Sequence, residues 1–450
     1  MNRRTRLKLI ETKTLSTLAL PAIIAQLAQA GLGVIDTIMA GRHSAEALAA
    51  IAIGANVFNP VIVFIVGVML VLNPMIAQLN GEKDYKQLAQ VFHNGMFLGV
   101  ILTVPSVLVL QQTEWVLTTI GTDKSLIPLT TGYLDALCWG LPSLYLFFAL
   151  RFTNEGLFGN KIIMYIALST LPLNVIANHW FINGGFGLEP MGAVGVGWAT
   201  NLVYSYMFIT LLIITAKTKN YRHLDLFSHW HKPDWQVIKQ TLKVGVPMGM
   251  AIGLEIALFA TVGLLISTYT INQIAGHQVA LSIATMCYMI PLGLSTAITA
   301  RVGFHVGSNR PHRAKIAGWS GIGIAVFVMT FAVTILLTFP EVIVGFYSND
   351  AGVIAVAVHL LFFAAMFQLS DGTQVASAGA LRGLKDTKIP MYFSGISYWL
   401  IGFPLGYYLA EYQGMGIDGY WIALVTGLSV AALLMLIRFR LMINRLQKTS

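Results

Sequence analysis

Asp36, Glu255 and Asp371 each lie inside a stretch apolar and long enough to cross a bilayer. A charged side chain at the centre of a spanning helix costs about 2.5–3.5 kcal/mol, so three impose a standing cost of about 7–10 kcal/mol. Chains that keep such groups use them to move ions, protons or charged molecules. In LPLNVIANHW, residues 171–180, Asn174 and Asn178 are four apart and share one helix face. Thr200 falls in the next apolar stretch, and these three polar groups could converge on Asp36. Interhelical hydrogen bonding is the plainer reading of Thr200 and an alternative for the two Asn. A carboxylate is too costly to keep for that alone.

Glu255 lies in GLEIALFA, residues 253–260, and Asp371 in AAMFQLSDGTQ, residues 364–374. Two neighbouring carboxylates can hold a small hard cation through oxygen ligands. They can instead share a proton, because close buried carboxylates resist double ionisation. No Lys or Arg is expected well inside a span, which disfavours simple pairing with a base. Asp135, in the outer part of the fourth apolar stretch, reads as interfacial.

The elements that must position these groups are membrane helices. Of 450 residues, 56% are hydrophobic and 10% charged, against about 25% charged in soluble proteins. The apolar runs are continuous rather than alternating, which excludes a β-barrel. Twelve segments are expected, at about 15–40, 52–79, 90–111, 127–150, 161–183, 191–216, 240–268, 278–304, 316–339, 352–380, 389–411 and 419–437. Lys and Arg accumulate in cytoplasmic loops. With both termini cytoplasmic, 26 of the 28 basic residues fall on the inner side, and only Arg42 and Lys124 fall outside. The net charge of +9 is therefore read as topology rather than nucleic-acid binding. Ala28-Gln29-Ala30 has the pattern of a signal cleavage site, but cutting there would remove most of the first span, so an uncleaved helix is expected. Cys138 and Cys287 both fall in apolar segments and read as buried thiols.

The halves repeat. A shift of 226 residues places Leu48-Ala49 on Ile274-Ala275, Gly67 on Gly293, Gly81 on Gly307 and Gly95 on Gly321, and a shift of 227 places Met164-Tyr165 on Met391-Tyr392. An even number of spans per half makes the repeats parallel, an arrangement of some secondary transporters. The expected division is a lobe at 1–216, a linker at 217–239 and a lobe at 240–450. The acids are not repeated: Asp36 maps onto Val262, Glu255 onto Gln29, and Asp371 near Leu144 or Tyr145. In the linker, His229 and His231 with His223 nearby lack the spacing of a metal site and read as a solvated loop.

No enzyme signature appears. There is no Walker A loop, so ATP is not the expected energy source. Gly192–Gly197 opens a span with no preceding strand and reads as close helix packing. An intramembrane enzyme would need a nucleophile or metal set that is not found.

DTIMAG at 36–41, LNxxxN at 173–178, GLEIALFA, IAGHQVAL at 274–281 and SAGALRGLKDTKIP at 377–390 together resemble the multidrug and toxic compound extrusion (MATE) family, in its bacterial NorM-like branch, over essentially the whole chain. The resemblance implies an all-α integral membrane protein of twelve helices in two six-helix bundles arranged as a V. It implies extrusion of cationic amphipathic drugs against inward Na⁺ or H⁺, and functional roles for Asp36, Glu255 and Asp371. The related Na⁺-coupled members carry a Tyr one turn before the tenth-span acid, where this chain has Phe367; the missing hydroxyl weakens the Na⁺ assignment slightly. The expectation is a monomeric antiporter of a bacterial inner membrane, without cofactor. Glu255 and Asp371 are expected to bind the coupling cation, Na⁺ ahead of H⁺. Asp36, Asn174, Asn178 and Thr200 form a drug- or proton-linked site. Phe259, Met286, Tyr288, Phe367 and Tyr392 are candidate cavity walls, flexible and aromatic groups suiting many ligands, although packing alone explains each. The runner-up is a flippase or exporter of lipid-linked or polysaccharide precursors, which would need basic residues at membrane depth to hold phosphates.

Overall fold

The computed structural model describes residues 3–119, 121–185, 187, 189–227 and 231–449. Among the described residues, eleven helices are long and apolar enough to span, from Thr5–His43 to Ile417–Lys448. The remaining expected span, the eleventh in order, is a broken helical run. It passes from Lys388–Gly395 through a π-helical stretch at Ile396–Gly402 and Phe403–Tyr407 to a second π stretch at Tyr408–Tyr412. Pro404 supplies no backbone donor there, and a Cβ on Gly402 would stand 3.0 Å from the Ala423 carbonyl. Wide turns of this kind re-aim side chains and concentrate at functional sites. The second span breaks for a related reason: Pro74 cannot donate to the Leu70 carbonyl, and Asn73 N–H takes it instead at 3.2 Å, between Ala45–Met69 and Leu72–Glu82.

Helix starts follow local chemistry. Ser44 accepts from Ala47 N–H at 3.0 Å, Asp84 from Gln87 N–H at 3.0 Å and Asp350 from Val353 N–H at 3.0 Å. Such side chains satisfy amides that no earlier turn can reach. The repeat also shows in the backbone. Lys83 and Asn309, 226 residues apart, have φ of 63° and 53°. Phe158 and Lys385, 227 apart, have φ of 64° and 57°. Both pairs follow helix ends with a left-handed residue, a conformation uncommon for Lys83, Phe158 and Lys385, which are neither Gly nor Asn.

The chain folds into two compact units, one of Met1–Ile23 with Met250–Ser450 and one of Ile24–Gly249. This differs from lobes divided at 216 and 240. The N-terminal part of the first span helix, Arg3–His43, belongs to the unit of the second half, and the start of the seventh, Trp235–Ile266, belongs to the unit of the first half. Leu15 and Ala19 pack into a core with Leu294, Ile298 and Phe439. Ile238 and Met248 pack into the core that holds Met69, Phe92 and Phe147. Glu11, 1% exposed, takes Arg301 at 2.8 and 3.1 Å and His305 at 3.0 Å. Pro21 and Pro247 lie within these two helices, just before the points at which they change unit. Their register is the repeat offset, although sequence comparison alone gave no sign of the exchange.

The linker is also more ordered than a solvated loop. It forms a 3₁₀ turn at Lys219–Leu224 and then docks on the third span. Asp234 N–H donates to Asn94 Oδ1 at 2.7 Å, Gln90 donates to Asp234 Oδ2 at 2.9 Å, and His231 Nδ1 lies 3.0 Å from Nδ1 of buried His93. His223 packs edge-on against Tyr85, and His229 lies outside the described residues. Cys138 and Cys287 are free and half-buried.

The exchange of helix segments depends on glycines that admit a neighbouring backbone. A Cβ on Gly293 would stand 2.6 Å from Ile23 N, and one on Gly249 would stand 2.7 Å from the Phe64 carbonyl. A Cβ on Gly323 would meet nothing within 4 Å. Gly293→Val and Gly249→Val are each expected to cost about 1–3 kcal/mol by overpacking, and Gly323→Val at most about 0.5 kcal/mol. Unfolding of the detergent-solubilised protein measures the difference; equal losses at all three positions would contradict the packing described.

Candidate functional site

The first polar centre forms in the unit Ile24–Gly249. Asp36 stands on the first span helix, with Asn174 and Asn178 on the fifth, Asn160–Asn183, and Thr200 on the sixth, Gly192–Lys217. Asp36 Oδ1 accepts from Asn174 Nδ2 at 3.0 Å and from Asn178 Nδ2 at 2.7 Å, and Oδ2 accepts from Thr200 Oγ1 at 3.3 Å. Asn178 also donates to Asn174 Oδ1 at 3.2 Å, so the two amides are oriented by each other and by the acid. The glycine run places the sixth helix: a Cβ on Gly197 would lie 2.7 Å from the Tyr133 carbonyl. That close approach brings Thr200, one turn on, to Asp36. Three donors hold the carboxylate.

Asp36, Asn174 and Thr200 line a cavity of about 390 Å³. Tyr133, Phe148, Tyr204 and Met207 supply its aromatic and flexible surface. This volume lies in the ordinary range for small-molecule pockets. No Lys or Arg is among its lining residues. Sequence reasoning placed the aromatic wall in the other half and so missed these four.

The second centre forms in the other unit. Glu255, on the seventh span helix, accepts through Oε2 from Gln374 Nε2 at 3.0 Å and from the Tyr398 hydroxyl at 3.2 Å. Asp371, on the tenth, Ala351–Gly383, is 4% exposed and within electrostatic range of Glu255. Its Oδ1 and the Oε1 of Gln374 are buried without a hydrogen-bond partner among the described residues. These orphaned oxygens beside two carboxylates suit a hard cation, which takes oxygen ligands. Among the described residues no three His, Cys, Asp or Glu side chains gather as a transition-metal site would need. Tyr398 and Gln374 were missed. Gln374 follows Asp371 by three, a helical spacing that could have found it. Tyr398 lies in the first π stretch of the eleventh span, whose register a sequence does not reveal.

The remaining expected positions divide. Phe367 is 2% exposed, stacks on Trp421 at 5.9 Å and meets Phe259 edge-on at 6.1 Å. Phe367 belongs to a packed core, and Phe259 is partly buried against it. Met286 and Tyr288 are half-buried, and Tyr392 is 59% exposed. Asp135 is exposed on its helix. Arg151, read as an inner-loop residue, lies inside the helix Leu126–Gly156 and is 5% exposed. The helix continues past it and Glu155 neutralises it from the next turn, so a base does lie within a span helix.

A family model described as MatE matches residues 21–180 and 247–408. Curated relatives named multidrug resistance protein MdtK, from Yersinia pestis (strain Pestoides F) and Yersinia enterocolitica serotype O:8, are each 37% identical over 437 residues, covering 96% of this chain and 96% of the relative. Those names do not support the narrower NorM-like placement. A solved structure described as MATE in the bent conformation superposes with a TM-score of 0.89 at 19% identity, covering 100% of this chain and 99% of that one. An outward-facing multidrug resistance MATE family transporter gives 0.88 at 21%, covering 97% of each. At these identities the structures establish the fold.

Hydrogen bonds to a charged group contribute about 1.5–3 kcal/mol and neutral ones about 0.5–1.5 kcal/mol. Asn178→Leu should therefore destabilise the wild-type protein by about 1.5–3 kcal/mol and an Asp36→Asn background by about 1 kcal/mol. Unfolding measurements on the four proteins of this cycle check it, and an equal cost in both backgrounds would show that Asp36 is not held as a carboxylate.

Proposed function

The chain belongs to the MatE family, and from that premise we propose that it is a cation-coupled multidrug exporter of a bacterial inner membrane. Cationic amphipathic compounds occupy the cavity at Asp36, and Glu255 with Asp371 takes up the coupling ion, Na⁺ ahead of H⁺. The observation that carries this reading is the separation of chemistry: an acid in an aromatic cavity in one unit, and a carboxylate pair with orphaned oxygens in the other. The named drug-resistance relatives support the substrate class. The orphaned oxygens of Asp371 and Gln374 support Na⁺; the absent Tyr hydroxyl at Phe367 counts against it, and the Tyr398 hydroxyl at Glu255 offers a different oxygen.

Exchange requires each ligand to favour a different arrangement of the protein. Both acid-bearing helices provide a physical means. Asp36 and Glu255 stand on the two helices that belong in part to each unit. Neutralising either carboxylate changes the forces on a helix anchored in both units. Pro21 and Pro247 give these helices a place to bend. One inward monovalent ion contributes about 2.3 kcal/mol per 100 mV, plus its concentration gradient. The flippase alternative is disfavoured because Arg151 is already paired with Glu155 and no base lines the cavity.

In everted vesicles, adding drug should evoke Na⁺ or H⁺ exchange, and Glu255→Gln or Asp371→Asn should reduce it at least tenfold. Exchange that survives both substitutions removes the cation site. Efflux that collapses with a proton uncoupler and ignores Na⁺ replaces the ion while the exporter reading stands.

A further inference from the structure

Behind the Asp36 cavity lies a charged pair that the exchange does not use. Arg151 and Glu155 are 5% and 3% exposed, and Arg151 Nε meets Glu155 Oε1 at 2.9 Å. Asn73 Nδ2 donates to the other carboxylate oxygen at 3.4 Å. The guanidinium also reaches forward, donating from Nη1 to Gln29 Oε1 at 2.7 Å. Guanidinium can only donate, so the amide oxygen of Gln29 must face it. The NH₂ of that planar amide diverges from the oxygen and is the donor left for the cavity that Gln29 lines.

Gln29 and Asp36 are seven residues apart on one helix, two turns, so they share a face about 10 Å apart. Gly33 lies between them on that face and also lines the cavity. A Cβ at Gly33 would meet nothing within 4 Å, so the helix surface between the two poles is bare and open. The repeat sharpens the contrast, because Gln29 occupies the position of Glu255. What is a carboxylate in one half is, in the other, an amide fixed by a buried base.

We propose that Arg151 is a positioning residue that sets, through Gln29, the specificity of the Asp36 cavity. The preferred ligands are bipolar: a cationic group at Asp36 and a hydrogen-bond acceptor, carboxylate or carbonyl, at Gln29 about 10 Å away, with an apolar body lying across Gly33. The proposal rests on the reading of this cavity as the drug site.

The test is binding of ω-carboxyalkyl-triphenylphosphonium ions of increasing chain length to the purified full-length protein, with tetraphenylphosphonium as reference. Affinity should pass through a maximum where the chain separates phosphorus and carboxylate by about 10 Å, and exceed the reference there about tenfold, as one charge-assisted hydrogen bond provides. Gln29→Met keeps the Arg151–Glu155 pair and should flatten the series. The charge-neutral double substitution Arg151→Met with Glu155→Gln should do the same by freeing the amide to turn. A wild-type series with no maximum overturns the proposal, as does a maximum that survives Gln29→Met; one that survives only the double substitution removes Arg151 from it. Asp36→Asn keeps the two readings apart. If it weakens every ion, the reference included, the drug site stands. If the reference ion ignores it, the drug-site reading fails whatever the series shows.

Discussion

The arrangement depends on one electrostatic constraint: a carboxylate among membrane helices must be given donors, a proton or a cation. Asp36 is given donors, three of them, from two other helices at 2.7 to 3.3 Å. Glu255 is given two, and Asp371 keeps an oxygen with no partner among the described residues. The carboxylate of the first centre is therefore satisfied by the protein itself, whereas Asp371 in the second is not. That difference is the ground for proposing an ion at Glu255 and Asp371 and the polar end of a drug at Asp36.

The repeat supplies the scaffold, and departures from it supply the function. Left-handed residues recur at 83 and 309 and at 158 and 385, and the points at which two helices change unit are 226 residues apart. On this common frame the ionisable groups are redistributed. Gln29 stands for Glu255, and Val262 for Asp36. The polar centres consequently lie at different levels of equivalent helices, two turns apart. Two similar bundles can thus hold chemically unlike ligands.

Much of this was legible in the sequence. Span positions follow from apolar length, the repeat from a near-constant offset, and Asn174 and Asn178 from a four-residue spacing that puts both on one face. What was not legible depends on tertiary register. Tyr398 reaches Glu255 from a π-helical stretch of the eleventh span, and a run of apolar and aromatic residues does not announce that winding. Arg151 was assigned to a loop because its helix runs on past it, while Glu155, four residues later, was the signal that the charge is neutralised within the helix. The aromatic wall was sought beside the carboxylate pair because aromatics are abundant there. Phe367 is packed in the core and Phe259 is partly buried against it, while the cavity described at Asp36 is lined by other aromatics. The exchange of helix segments leaves only the matched Pro21 and Pro247 as a trace.

The central claim is that drug and ion occupy separate centres that are linked. Linkage is reciprocal, so a saturating coupling ion must weaken drug binding by the factor by which drug weakens the ion. The direct measurement is the drug dissociation constant of the purified protein, titrated with Na⁺ and with acid, in the wild type and in the Glu255→Gln, Asp371→Asn double variant. The account predicts that one of the two ions raises the wild-type constant by about tenfold, a coupling of about 1.4 kcal/mol, and that the double variant binds drug with no response to that ion. Drug affinity indifferent to both ions in the wild type, or an unchanged ion response in the double variant, would contradict it.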